Sequence, residues 1–144
     1  MKKYSLGLFF FFCAIFCFGQ ENIDQYILYL EGPIPQEFQR VNDTTYIDNS
    51  GNIVLLVEDN LVKACNIGAS FDTADESGEW LAFYYDYFKD NNWEYSNDSD
   101  IYMKNNVFAM IIKEQKRNDG KIASLILFTK DVFWIFGWAL ENIL

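Results

Sequence analysis

The stretch from Thr73 to Asn92 constrains the fold more than any other part of the chain. Thr73 with Glu76 three residues later is a capping box, in which the hydroxyl and the carboxylate each satisfy a backbone N–H left open at a helix start. A helix is therefore predicted to begin near Ala74. Asp75, Glu76 and Glu79 in its first two turns and Lys89 in its last complement the helix dipole, and Asn91-Asn92 supplies a stop. At 100° per residue Leu81, Tyr84, Tyr85 and Phe88 share one stripe, with Asp75, Glu79, Asp86 and Asp90 opposite, the pattern of a helix lying on a sheet. Trp80, Phe83 and Tyr87 widen the apolar arc along one flank. A second contact is expected there, supplied by the C-terminal segment or by a partner. Gly78 costs about 1 kcal/mol relative to Ala in a helix interior, which predicts a fraying first turn or a close backbone contact.

Extended, turn-punctuated segments flank the helix on both sides. Before it, Thr44 to Ile47, Ile53 to Glu58 and Leu61 to Phe71 read as strands, joined by Asp48-Asn49-Ser50-Gly51-Asn52 and by a tight Asp59-Asn60 turn. After it, Trp93 to Tyr95, Ile101 to Met103, Val107 to Gln115 and Ile122 to Thr129 follow, the last two closed by Asn118-Asp119-Gly120. Glu21 to Leu30 fits a helix on Ile23, Tyr26, Ile27 and Leu30, or a short strand over Tyr26 to Leu30; Gly32-Pro33 and Pro35 then turn the chain. In the run Leu61 to Phe71, Cys65 alternates in phase with Leu61, Ile67, Ala69 and Phe71, which makes it a small core residue instead of a reactive thiol. These elements predict an α+β fold of two layers, a curved antiparallel sheet packed against one central helix, with a short C-terminal helix.

That terminal helix rests on Asp131 as its N-cap, in a segment from Val132 to Leu144 that has almost no polar face. A strand over Val132 to Phe136 competes with it. The helix is expected to pack beside the central one, near Trp80 and Tyr87. Membrane or partner contact through Trp134 and Trp138 is the alternative, weakened because no Lys or Arg follows Lys130.

At the other end, Met1-Lys2-Lys3 and the apolar run through Phe18 have the form of a secretory signal, so export to the periplasm or beyond is expected, with cleavage near Gly19 or Gln20 or retention as an uncleaved anchor. The domain is then 21–144. Losing Lys2 and Lys3 leaves nine basic residues against twenty-one acidic ones, a net charge of −12. Nucleic acid and anionic lipid are poor partners for such a chain, and a basic protein is a better one. Membrane contact is restricted to the signal and the C-terminal segment. Cys65 is the only cysteine of that domain, so no intramolecular disulfide forms and packing must hold it together.

The sequence contains no His, which removes His-based acid–base work, Ser-His and Cys-His pairs, and the usual zinc ligand sets. It also has no phosphate loop, dinucleotide fingerprint or CxxC, so no cofactor is expected. Carboxylate chemistry remains, with acids at Glu58, Asp59, Asp72, Asp75, Glu76 and Glu79. Asp98-Ser99-Asp100, after Asp90, Asn92 and Glu94, lacks the glycine and the bidentate Glu of a calcium loop and reads as a solvated turn. Lys113, Lys116, Arg117 and Lys121 gather around the last hairpin as a solvated loop.

Phe83-Tyr84-Tyr85, through Phe88 to Asn92-Trp93, resembles a helix pattern of small bacterial envelope domains in which a Phe-Tyr pair precedes a Gly-Trp or Asn-Trp stop. The resemblance covers this helix alone, and Asn92 stands where Gly is more usual. It implies a curved antiparallel sheet with one helix and a role in scaffolding or protein contact, and it assigns no site. The expected function is that of an exported, non-enzymatic domain working by protein contact, over a surface of Trp80, Phe83, Tyr87, Trp134 and Trp138. An acidic inhibitor of a basic enzyme is the alternative, and a carboxylate-dependent hydrolase a third possibility.

Overall fold

A computed structural model describes residues 23–134 and 137. The signal segment, Trp138 and most of the C-terminal stretch lie outside the described residues.

Eight described strands form one antiparallel sheet: β1 (Gln39–Asn42), β2 (Thr45–Ile47), β3 (Ile53–Glu58), β4 (Leu61–Phe71), β5 (Glu94–Ser96), β6 (Ile101–Lys104), β7 (Val107–Lys116) and β8 (Ile122–Thr129). Their order is β1-β2-β3-β4-β8-β7-β6-β5. Each half is a meander, and the halves join where β4 and β8 pair from Ala64 opposite Thr129 to Phe71 opposite Ile122. Two of the tight turns have both central residues in the left-handed region, Asp59-Asn60 between β3 and β4 and Asn105-Asn106 between β6 and β7. Such turns match the twist of the strands they join. The last hairpin turns at Gly120, whose φ of 83° suits glycine.

The fold is mixed helix and strand, dominated by the sheet, with more than one helix. Helix α1 spans 23–29 and α2 spans Ala74–Asp90. The capping box of α2 is formed: Glu76 N–H donates to Thr73 Oγ1 at 3.2 Å, and Thr73 N–H to Glu76 Oε2 at 3.2 Å. At the far end Asn92 takes a φ of 57°. Trp93 N–H then donates to the Phe88 carbonyl at 2.9 Å and Asn92 N–H to that of Lys89 at 3.3 Å. This paired closure puts the rings of Phe88 and Trp93 together, centroids 5.0 Å apart. Trp93 is therefore part of the helix stop, not of a strand.

Helix α2 rests on the central strands. Tyr84, Tyr87 and Phe88 share a core with Leu55, Val57, Cys65, Ile67, Ala109, Ile126 and Phe128. Closer to the helix start, Ser77 and Ser124 meet in the interior, oxygens 2.7 Å apart, where two small side chains let helix and strand approach. In β4 the alternation breaks at a bulge: Leu56 faces Ala64 but Val57 faces Val62, so Lys63 is the extra residue. Val62 consequently joins Cys65 in the core, while Leu61, predicted to be buried, is 36% exposed.

At Tyr87 the flank of α2 is covered by the N-terminal helix. Ile23 and Leu30 are buried in the α2 core, Tyr26 and Ile27 pack against it, and Tyr87 Oη donates to Asp24 Oδ1 at 2.8 Å. The C-terminal turn lies elsewhere. Asp131 Oδ1 caps the N–H groups of Phe133 and Trp134 at 3.0 and 3.4 Å, as an N-cap should. Val132 and Trp134, however, pack with Ala64, Ile101 and Leu127. Strand alternation sets those residues on the sheet face opposite α2, because Ala64 and Leu127 each neighbour a residue of the α2 core, Cys65 and Phe128. For Val132 and Trp134 the expectation of packing beside α2 is corrected: β8 delivers them to the other face.

Gly78 is not in close backbone contact, since a Cβ built there has nothing within 4 Å. Gly78→Ala should then stabilise the protein by about 0.8–1 kcal/mol through helix propensity alone. Chemical denaturation reads this directly, and an unchanged or lower midpoint would mean the backbone at Gly78 is not simply helical.

Candidate functional site

The five aromatic residues expected to form one surface are divided by the structure. Trp80 and Phe83 are half-buried at the rim of the core, Trp80 between Phe71 (5.8 Å) and Tyr84 (4.6 Å), and Phe83 edge-on to Tyr84 at 5.2 Å. Tyr87 is 4% exposed. Trp134 lies on the opposite sheet face, and Trp138 is outside the described residues. Among the five, Trp80 and Phe83 alone are left partly exposed on the α2 side.

Alongside them runs the outer stripe of α2. Asp75, Glu79, Asp86 and Asp90 are all exposed. None joins a salt bridge among the described residues, where the pairs are Arg40–Asp43, Lys63–Glu31, Arg117–Asp119 and Lys121–Asp72. On the helical wheel Phe83 follows directly on Asp90, while Trp80 lies further round, beyond Glu76 and Tyr87, so Phe83 is the immediate aromatic border of the stripe. Helix α2 therefore serves the core with one face and presents unpaired negative charge with the other.

The remaining candidates have other roles. Glu58 and Asp59 sit at one end of β4 and Asp72 to Glu79 beyond the other; across eleven residues the separation is roughly 30 Å, too far for a catalytic pair drawn from both groups. Glu76 is held in the capping box. Asp98 and Asp100 lie in the turn after β5, where Asp100 Oδ1 accepts from Tyr95 Oη. No group of described acids is arranged to hold a metal ion. Around the last hairpin Arg117 pairs with Asp119 at 3.3 Å and donates to Ser70 Oγ at 3.1 Å, and Lys121 reaches Asp72 at 3.6 Å, so these cations are tied into the fold. Cys65 is fully buried, and burial pushes its thiol up to about 12. It is a core residue with no accessible thiolate at neutral pH.

An open cleft of about 640 Å³ lies beside Trp134, lined by Arg40, Asp43, Tyr46, Leu56 and Glu58 among others. Its one guanidinium is already paired with Asp43 and donates to the Asn42 carbonyl. The sequence did not indicate the buried Ser77–Ser124 contact or the Tyr87–Asp24 bond. Serines and aspartates are unremarkable until a fold brings distant ones together.

No protein-family model, no curated protein and no solved structure matches this chain. The functional reading therefore rests on the chemistry of its surfaces.

Proposed function

We propose that this chain is an exported, non-enzymatic domain that acts by protein contact in the bacterial cell envelope, and that its contact surface is the outer face of α2. In this reading the sheet and the helices on its α2 face are the two layers of the domain. The observation that carries the proposal is the row of Asp75, Glu79, Asp86 and Asp90, exposed and in no salt bridge among the described residues, beside half-buried Trp80 and Phe83. Carboxylates steer and orient a basic partner, and partly desolvated aromatic rings beside them supply apolar contact. Support for a non-catalytic role comes from the absence of His and the inert setting of the buried thiol.

The same carboxylates favour a second reading, an acidic inhibitor of a basic enzyme such as one that degrades cell wall. Affinity capture by the exported domain from an envelope extract tests both. A basic partner bound at low salt should be released as salt shortens the screening length from about 10 Å at 0.1 M to about 3 Å at 1 M. Loss of the released partner's enzymatic activity on adding the domain back selects the inhibitor reading. A partner held through 1 M salt would place the contact on an apolar surface instead, against the proposal.

A further inference from the structure

The sheet face opposite α2 carries an apolar cluster whose rim is only partly buried. Ala64, Ile101 and Leu127 are buried there, and Leu56, Met103, Phe108, Met110 and Leu125 are partly buried around them. Asn66, neighbour of Leu127 on the same face, has its Oδ1 buried with no hydrogen-bond donor among the described residues. A buried acceptor left open is costly, so this face is built to be covered by something that brings a donor.

We infer that the face is the docking site of the chain's own C-terminal residues, 135–144. The described chain arrives there, capped at Asp131, with Val132 and Trp134 already seated. Phe133 is 83% exposed and Gly137, four residues on, is exposed with nothing near its Cβ position, so this side faces water. At 100° per residue, positions 135, 138, 139 and 142 fall on the opposite side, and they are Ile135, Trp138, Ala139 and Asn142. The indole of Trp138 and the amide of Asn142 both bring N–H donors to that side. Ten residues in helical spacing reach about 15 Å, which is about three strands at 4.8 Å each and matches the distance from β4 across β8 and β7 to β6.

Thiol labelling of the exported protein, resolved by site with mass spectrometry, tests the inference. Single variants Ala139→Cys and Phe133→Cys are compared, and Cys65 reports any global unfolding. Docking predicts labelling at position 139 at least about tenfold slower than at 133, independent of protein concentration. It also predicts that protection is lost when Met110→Asp is added, or Met103→Asp if the first variant exposes Cys65. Equal rates at 139 and 133 would overturn the inference. So would protection that disappears on dilution, which indicates a second copy, or protection that appears only with phosphatidylglycerol vesicles, which indicates a membrane. Protection that survives both aspartate variants would place the segment elsewhere.

Discussion

Phe88→Ala is expected to cost about 3–5 kcal/mol of folding stability. Phe88 is fully buried and sits at the centre of the aromatic core: Tyr102 stacks on it at 4.4 Å, Trp93 meets it at 5.0 Å, Tyr87 at 5.6 Å and Phe128 at 6.1 Å. Its neighbours come from the helix, the helix stop, β6 and β8, so a cavity there cannot close by moving one element. Typical domains have only about 5–15 kcal/mol in total, and the variant would lose a large share of it. Denaturant unfolding followed by tryptophan fluorescence measures the loss as a lower midpoint at unchanged slope. Phe133→Ala, at an 83% exposed ring, is the control and should stay within about 0.5 kcal/mol of the parent. A loss at Phe88 below about 1 kcal/mol would mean that α2 is not seated on β6 and β8 as described.

The second large effect concerns alkaline pH. Burial is the first cause of raised values at Tyr84, Tyr87, Tyr26 and Cys65, and also at Tyr29, where the hydrogen bond to Glu37 adds to it. These groups are neutral when protonated and charged when not. With folded values above unfolded ones, the native state keeps protons that the unfolded chain releases, so stability is fully present below the unfolded values and falls as pH rises through them. The window opens near the ordinary thiol value of 9.0 and phenol value of 10.0 and extends to about 12 for Cys65, Tyr26 and Tyr29. Tyr84 and Cys65, the most deeply placed, each add a slope of about 1.4 kcal/mol per pH unit within it. Tyr29 and Tyr26 act in the same direction more weakly, because water screens them. Unfolding midpoints measured from pH 7 to 11 should be level at first and then fall steeply, with Cys65→Ala or Tyr84→Phe each flattening the fall. A midpoint level through pH 11 would contradict the buried setting of these groups.

Much of the fold was legible because its signals are local. The capping box at Thr73 and Glu76, the amphipathic stripe of α2, the Asp59-Asn60 turn and the hairpin at Gly120 each have a mechanism confined to a few residues, and each is present. What was not legible is long-range or unpatterned. Strand β1, Gln39–Asn42, is exposed throughout and has no apolar alternation; pairing with β2 across a bulge at Val41 defines it. The bulge at Lys63 moved Val62 inward and Leu61 outward, which period-two reasoning cannot foresee. The wide apolar arc of α2 correctly implied a second contact, yet an apolar arc does not say which segment covers it. Residues 23–29 took that place at Tyr87, and the equally apolar Val132 and Trp134 took the far face. For the surface, the acidic stripe was visible in the helical period, whereas the burial of Tyr87 depended on Asp24 and α1.

The outer face of α2 as contact surface is tested most directly by a photo-crosslinking residue placed at Ala82, exposed amid that stripe, in the exported protein of living cells. The account predicts a discrete adduct that disappears when Glu79→Lys and Asp86→Lys are added, while the stability of the doubly reversed protein stays within about 0.5 kcal/mol of the parent. An adduct that persists undiminished through the charge reversal, or no adduct from Ala82 at all, would contradict it.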